Sequence, residues 1–145
     1  MRDYLIYLSG GMMKFGSDNF DKSEKWRNYC KKALEKCECD YKVKVFNPND
    51  YFNFRDDSPA YSSENEVMRF DIHNLRKSDL VIVNFNDKWS LGTMSEVAIA
   101  YDRGVPIIGL DENGQELHPW QYSMAERIFD NIDKMLDYVQ DFYLR

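Results

Sequence analysis

Apolar positions along this chain fall into two alternating patterns. Short apolar or in-out runs at residues 4–9, 42–46, 80–85 and 106–110 predict strands. Between the first two, Trp26, Tyr29, Cys30, Ala33, Leu34 and Cys37 recur at helical spacing and predict a helix over about residues 20–38. Ser63-x-x-Glu66 has the form of a capping box opening a helix that runs to about residue 77. A further helix is expected over residues 92–103, closed by Gly104 at a left-handed cap position. DENGQ at 111–115 reads as a turn, and residues 118–145 as one or two closing helices with Ile128, Ile132, Leu136 and Val139 on their apolar side. Short strands alternating with longer helices indicate an α/β fold. Its expected form is an open, mostly parallel sheet of four to five strands with right-handed crossovers and helices on both faces. No repeat or linker interrupts the pattern, and 145 residues suit one domain over positions 1–145.

In sheets of this kind ligands bind beyond the carboxyl ends of the strands, where connections diverge to opposite faces. Three segments leave strand ends with polar or glycine residues: SGGMMKFG at 9–16, NPNDYFNFRDD at 47–57 and NDKWSLGTMSE at 86–96.

Composition narrows the partners. The chain carries 19 basic and 25 acidic residues, a net charge of −6, and no lysine- or arginine-rich run that would follow a phosphate backbone, so polymeric nucleic acid is not an expected partner. No apolar stretch approaches the ~20 residues of a membrane span, and the charged start of MRDYLIYLSGG does not read as a secretion signal; a cytoplasmic protein with no membrane partner is expected. Cys30, Cys37 and Cys39 are too far in sequence from His73 and His118 to suggest a zinc site, and ordinary reduced thiols are expected, with no metal. The glycine pair of SGGMM lacks GxGxxG spacing, GTMSE lacks the lysine of a P-loop, and neither Ser90 nor Ser95 has a GxSxG setting. Dinucleotide, triphosphatase and serine-hydrolase readings are therefore weak.

Two carboxylates stand out. Asp71 falls on the apolar stripe of Met68, Ile72 and Leu75; an inward carboxylate is costly unless paired, and either pairing with Arg69 or Arg76 or a functional role would account for it. Glu96 closes the Thr93-x-x-Glu96 pattern. As a capping box that pattern needs no further purpose, yet it lies at the carboxyl end of a core strand beside Gly92, Ser90 and Thr93. Two carboxylates meeting in one crevice could divide labour, one attacking as nucleophile and the other, its pKa lifted by burial, protonating a leaving group.

Taken in order, YLSGGM at 7–12, the D-x6-SD pattern from Asp71 to Asp79 followed by LVIVN, and SLGTMSEVAIAYDRGVPII at 90–108 resemble the nucleoside 2-deoxyribosyltransferase superfamily. The resemblance covers most of the chain. It implies a flavodoxin-like, Rossmann-like open sheet, homo-oligomers (dimer or higher) with shared active sites, a nucleoside or nucleotide and a free base as small-molecule partners, and no cofactor. The implied reaction cleaves the N-glycosidic bond of a 2'-deoxynucleoside and passes the sugar to another base through a covalent glutamyl intermediate. The nucleophile falls on Glu96, the group assisting the leaving base on Asp71, and the tyrosine orienting the nucleophile on Tyr7. Ser9, Gly10, Gly11, Ser90, Gly92, Thr93 and His118 are the implied substrate-binding positions, His118 on a loop near the 5' end of the sugar. Trp89 and Phe15 are aromatic candidates for stacking on a base. Transferases of the superfamily typically carry a carboxylate six residues before the nucleophile, where this chain has Ser90. That serine resembles relatives that hydrolyse 2'-deoxynucleoside 5'-monophosphates, since a hydroxyl can donate to phosphate where a carboxylate repels it.

Overall fold

The structure, a computed structural model, describes residues 1–11, 17–51 and 62–145. The elements in chain order are β1 (Arg2–Gly10), α1 (Ser17–Glu35), β2 (Tyr41–Phe46), a single 3-10 turn (Pro48–Asp50), α2 (Glu64–Arg76), β3 (Leu80–Asn84), α3 (Leu91–Asp102), β4 (Ile107–Leu110), α4 (Pro119–Met124), β5 (Arg127–Phe129) and α5 (Ile132–Phe142). All five strands are parallel, in the order β2-β1-β3-β4-β5. This is the open α/β sheet expected from the sequence.

Because successive strand residues point to opposite faces, β1 divides its side chains cleanly. Ile6 and Leu8 join Val45 of β2, Ile82 of β3 and Ile108 of β4 in a core closed by Trp26, Cys30 and Leu34 of α1 and by Met135 and Val139 of α5. Tyr7 points the other way and joins Val81, Val83 and Ile107 against Leu75 of α2 and Val97 and Ala100 of α3. Burial on both faces is why β3 reads as the unbroken run LVIVN rather than an alternation. The chain leaves β1 for α1 on one face and β3 for α3 on the other, and β1 and β3 are neighbours. Their carboxyl ends therefore frame the divergence point at which such sheets bind ligands.

The helix ends follow local chemistry. Gly104, at φ +75°, reverses the chain after α3 as expected. Ser63 caps α2 by accepting the Glu66 N–H at 3.3 Å, but the Glu66 carboxylate accepts the N–H of Ser62 at 2.7 Å instead of that of Ser63, so the capping box is displaced by one residue. The larger correction concerns residues 118–145. Ile128 sits in β5, paired with Gly109 of β4, so the closing segment is helix, strand, helix rather than helices alone. A three-residue edge strand is too short to display a period of two, and Ile128 happens to continue the helical spacing of Ile132, Leu136 and Val139. Asn131 then caps α5, its side chain accepting the Lys134 N–H at 3.0 Å.

Candidate active site

The site is assembled at the start of α3. The helix begins at Leu91, and Ser90 is its cap: Ser90 Oγ accepts the Thr93 N–H at 3.4 Å and the Thr93 hydroxyl at 2.8 Å. The capping box expected between Thr93 and Glu96 therefore does not form. A serine three residues earlier satisfies the first turn, so Glu96 lies one turn into the helix with its carboxylate free for other partners.

Those partners come from β1. Tyr7 donates its hydroxyl to Glu96 Oε2, and Ser9 donates its own to Oε1 at 3.1 Å. Both residues are fully buried, and both occupy the β1 face turned toward α2 and α3. The Tyr7 ring is fixed by stacking on Phe46, with centroids 5.2 Å apart at 17°. Burial raises the Glu96 carboxyl above its usual range; the Tyr7 hydrogen bond, the charge of Arg27 and the Ser9 hydrogen bond work against that rise. The Tyr7 phenol is itself driven far above its ordinary value, by burial first and then by the Glu96 and Asp71 charges, which keeps it a neutral donor.

Asp71 of α2 borders the same space. Its Oδ1 is buried with no hydrogen-bond partner among the described residues, so the pairing with Arg69 or Arg76 that would have made it merely structural is not formed at that atom. Burial, reinforced by the Glu96 charge and opposed by Arg27, pushes its carboxyl up to about 7. Two carboxyl groups of one cavity thus differ in what holds them. Glu96 accepts two hydroxyl protons, and among the described residues Asp71 Oδ1 accepts none, which makes charge easier to hold on the first than on the second.

The cavity has a volume of about 630 Å³, within the range that admits a nucleoside-sized ligand. Asp71, Glu96, Ser90, Gly92, Thr93 and Gly10 all line it, with Asn65, Met68 and Ile72 of α2 opposite. A Cβ on Gly92 would meet nothing within 4 Å, so that glycine leaves room beside the helix start rather than relieving a clash. Gly10 does relieve one: a Cβ there would stand 2.8 Å from Cζ2 of Trp26. Gly11 packs by its backbone against Asp87 and is not part of the cavity wall. His118 is also elsewhere. It caps α4, with Nδ1 accepting the Trp120 N–H at 3.1 Å, and lines a second cavity of about 480 Å³ with Lys88, Trp89, Leu91 and Trp120. Ser90 is shared by the two cavities, so His118 lies on the far side of that serine from Glu96. Trp89 also belongs to the second cavity, and Phe15 lies outside the described residues.

Arg27 of α1 is a buried residue of this region that the sequence reading did not single out. This residue is 1% exposed, sits among Trp26, Cys30 and Leu34 on the inward side of α1, and its guanidinium donates to the carbonyls of Leu8 and Gly10 at 2.8 and 2.9 Å. The signal available in the sequence was the one that exposed Asp71, an ionisable residue on an apolar stripe. Among the described residues no group of three His, Cys, Asp or Glu side chains is placed to hold a metal ion, and no helix is long and apolar enough to cross a membrane.

The sequence profile of the family described as nucleoside 2-deoxyribosyltransferase matches residues 6–137. Comparison with curated proteins returned no match. Among solved structures, a conserved protein from Enterococcus faecalis V583 superimposes with a TM-score of 0.75 at 16% identity, covering 95% of this chain and 98% of that one. A 2-deoxyribosyltransferase from Bacillus psychrosaccharolyticus gives a TM-score of 0.67 at 16% identity, covering 92% and 91%. A CMP N-glycosidase from Clostridium botulinum gives 0.64 at 19% identity, covering 97% and 99%. At these identities the structural likeness speaks for the fold.

Proposed function

The chain belongs to the nucleoside 2-deoxyribosyltransferase family, a family of glycosyl-transferring enzymes, and from that premise we propose that it cleaves the N-glycosidic bond of 2'-deoxynucleosides and transfers the 2-deoxyribosyl group to a second base. The observation that carries this reading is that Asp71 and Glu96 line one cavity, with the buried Tyr7 and Ser9 each donating a hydroxyl to the Glu96 carboxylate.

In the proposed reaction a Glu96 oxygen attacks the anomeric carbon as the bond to the base nitrogen breaks. The electron pair of that bond leaves with the base, and Asp71 delivers its proton to the base, which departs neutral. The positive charge that develops on the sugar in the oxocarbenium-like transition state lies beside the Glu96 carboxylate, which then captures it as a glycosyl ester. A nitrogen of the acceptor base attacks the same carbon from the vacated face, the ester bond breaks back to the carboxylate, and the acceptor's proton returns to Asp71. Tyr7 and Ser9 hold the carboxylate in one orientation throughout, by donating one hydroxyl to each oxygen.

A second reading, hydrolysis of 2'-deoxynucleoside 5'-monophosphates, is favoured by Ser90. Its Oγ already accepts two hydrogen bonds from Thr93, so its own proton is available to a ligand oxygen at the cavity wall. The exposed Trp89, Leu91 and Trp120 around the adjoining cavity support self-association that would enclose this open site.

Incubating the protein with deoxynucleosides and with their monophosphates, with and without a second free base, separates these readings by chromatography. A new nucleoside identifies the transferase; free sugar phosphate and base identify the hydrolase. Glu96→Gln keeps the side-chain shape but removes the nucleophile and is expected to lower turnover at least ~1000-fold, a size typical of losing a covalent catalyst. Undiminished base release by a folded Glu96→Gln variant would overturn both.

A further inference from the structure

Arg27 is a fully buried cation whose hydrogen bonds, among the described residues, all go to neutral acceptors. Nη1 donates to Leu8 O at 2.8 Å and to Asn47 Oδ1 at 3.4 Å, Nη2 to Gly10 O at 2.9 Å, and Nε to Ser23 Oγ at 3.3 Å. A buried guanidinium without a contacting carboxylate is costly, so its retention calls for an account.

The acceptors explain half of it. The last β1–β2 pair in the sheet is Tyr7 with Phe46, after which β2 turns away through Asn47. Beyond that pair β3 still flanks one edge of β1, but the edge toward β2, where Arg27 reaches the Leu8 and Gly10 carbonyls, has no paired strand, and a buried carbonyl left unpaired is unfavourable. Arg27 takes the place of the missing strand edge, and through Asn47 it ties the end of β1 to the end of β2. The residue between its two carbonyl partners is Ser9, and the residue before them is Tyr7. Arg27 therefore fixes the backbone that carries both hydroxyl donors of Glu96.

Charge explains the other half. Among the described residues, the groups that act on Glu96 are Tyr7 and Ser9 from β1, Asp71 from α2 and Arg27 from α1, and Arg27 is the cation of that set. Burial lowers the Arg27 guanidinium from its ordinary value; the charge of Glu96, with smaller contributions from Glu24 and Asp71, works against that, while Arg27 in turn favours ionisation of both carboxyls.

We propose that Arg27 is a positioning residue of this site, one whose hydrogen bonds to the Leu8 and Gly10 carbonyls fix the stretch of β1 that presents Tyr7 and Ser9 to Glu96 and whose guanidinium is a buried counterion beside it. This rests on the reading of Glu96 as the nucleophile, but its test does not depend on turnover. Carbon-13 labelling of glutamate carboxyls allows the titration of Glu96 to be followed by NMR, its resonance identified by its loss in Glu96→Gln. Arg27→Met keeps the buried stem and removes the charge, and is expected to move the Glu96 titration upward by about one unit or more. Arg27→Lys keeps the charge but cannot span both carbonyls, so it loosens the backbone that presents Tyr7 and Ser9 and is expected to move the Glu96 titration upward by a smaller step, about half a unit. If Arg27→Met folds and Glu96 titrates as in wild type, the proposal is overturned. If Arg27→Met does not fold, Arg27→Lys decides: a Glu96 titration raised above wild type upholds the proposal, and an unmoved one overturns it. Should wild type release no base from any deoxynucleoside or monophosphate, the proposed reaction fails while the electrostatic coupling remains measurable.

Discussion

Replacing Tyr7 with Phe removes a single hydroxyl and little else. The ring is fully buried and stacks on Phe46, and phenylalanine retains both features. What is lost is the proton donated to Glu96 Oε2. A hydrogen bond to an ionised acceptor contributes about 1.5–3 kcal/mol, and about 1.4 kcal/mol corresponds to one pKa unit, so the Glu96 carboxyl is expected to rise by about one to two units. Burial already raises that carboxyl, and Asp71 stands at about 7. The proposed reaction needs Glu96 ionised and Asp71 protonated, which gives a bell-shaped profile with Glu96 governing the acid limb and Asp71 the alkaline limb. In Tyr7→Phe the acid limb climbs toward the alkaline one, so the bell narrows and its maximum falls. On the acid side kcat/KM drops about 10- to 100-fold, and on the alkaline side less, because Glu96 is charged there in both proteins. The assay is kcat/KM for base release across the profile, with thermal unfolding at each pH as a control on folding. An acid limb that stays in place in a folded variant would refute the claim that the phenol holds the carboxylate charged.

Two further outcomes follow from the same geometry. The Asp71 carboxyl is raised from 3.8 to about 7 on folding, so its contribution to stability is complete below about pH 4 and is lost as pH rises through 7. A shift of about three units amounts to roughly 4 kcal/mol, and solvent access from the cavity reduces this to about 2 kcal/mol; Asp71→Asn is expected to exceed wild type by that amount in urea unfolding at pH 8 and to match it near pH 4, and an unchanged pH dependence would count against the burial argument. Ser90→Asp preserves a good helix cap but sets a negative charge at the cavity wall, so turnover of 5'-monophosphates is expected to fall at least ~100-fold while that of nucleosides holds within about threefold; equal losses on both substrates, measured by chromatography, would remove Ser90 from any role in phosphate selection.

How much of this was legible in the sequence depends on the range of the interaction. The four core strands and three of the helices are read from local periodicity, and observed ends fall within about three residues of the expected ones. Asp71 was legible because an ionisable residue on an apolar stripe violates the pattern of its own helix. The role of Ser90 as the cap of α3 was not, because Thr93-x-x-Glu96 fits the capping-box pattern equally well, and only the placement of Tyr7 and Ser9 across from Glu96 decides between them. β5 was missed because its pairing with β4 is a tertiary contact carried by three residues. Arg27 bears the same local signal as Asp71, but its meaning lies in carbonyls of a strand 17 and 19 residues earlier in the chain, which no helical pattern in α1 encodes.

Arg27 also changes how the two carboxyls are understood. With Asp71 protonated, Glu96 ionised and Arg27 charged, the buried cluster is neutral. In the proposed first half-reaction Glu96 becomes an uncharged ester just as Asp71 gives up its proton and becomes an anion, and the cluster is neutral again. The negative charge moves from one carboxyl to the other while the guanidinium stays fixed, and Arg27 interacts favourably with the anionic form of each. Desolvating a net charge is what makes burial of ionisable groups expensive, so a site that keeps its total charge constant across the reaction avoids that cost in both the resting and the glycosylated state. Without the cation the resting cluster would carry one net negative charge at either carboxyl, and burial would drive a second proton onto the pair, leaving no nucleophile.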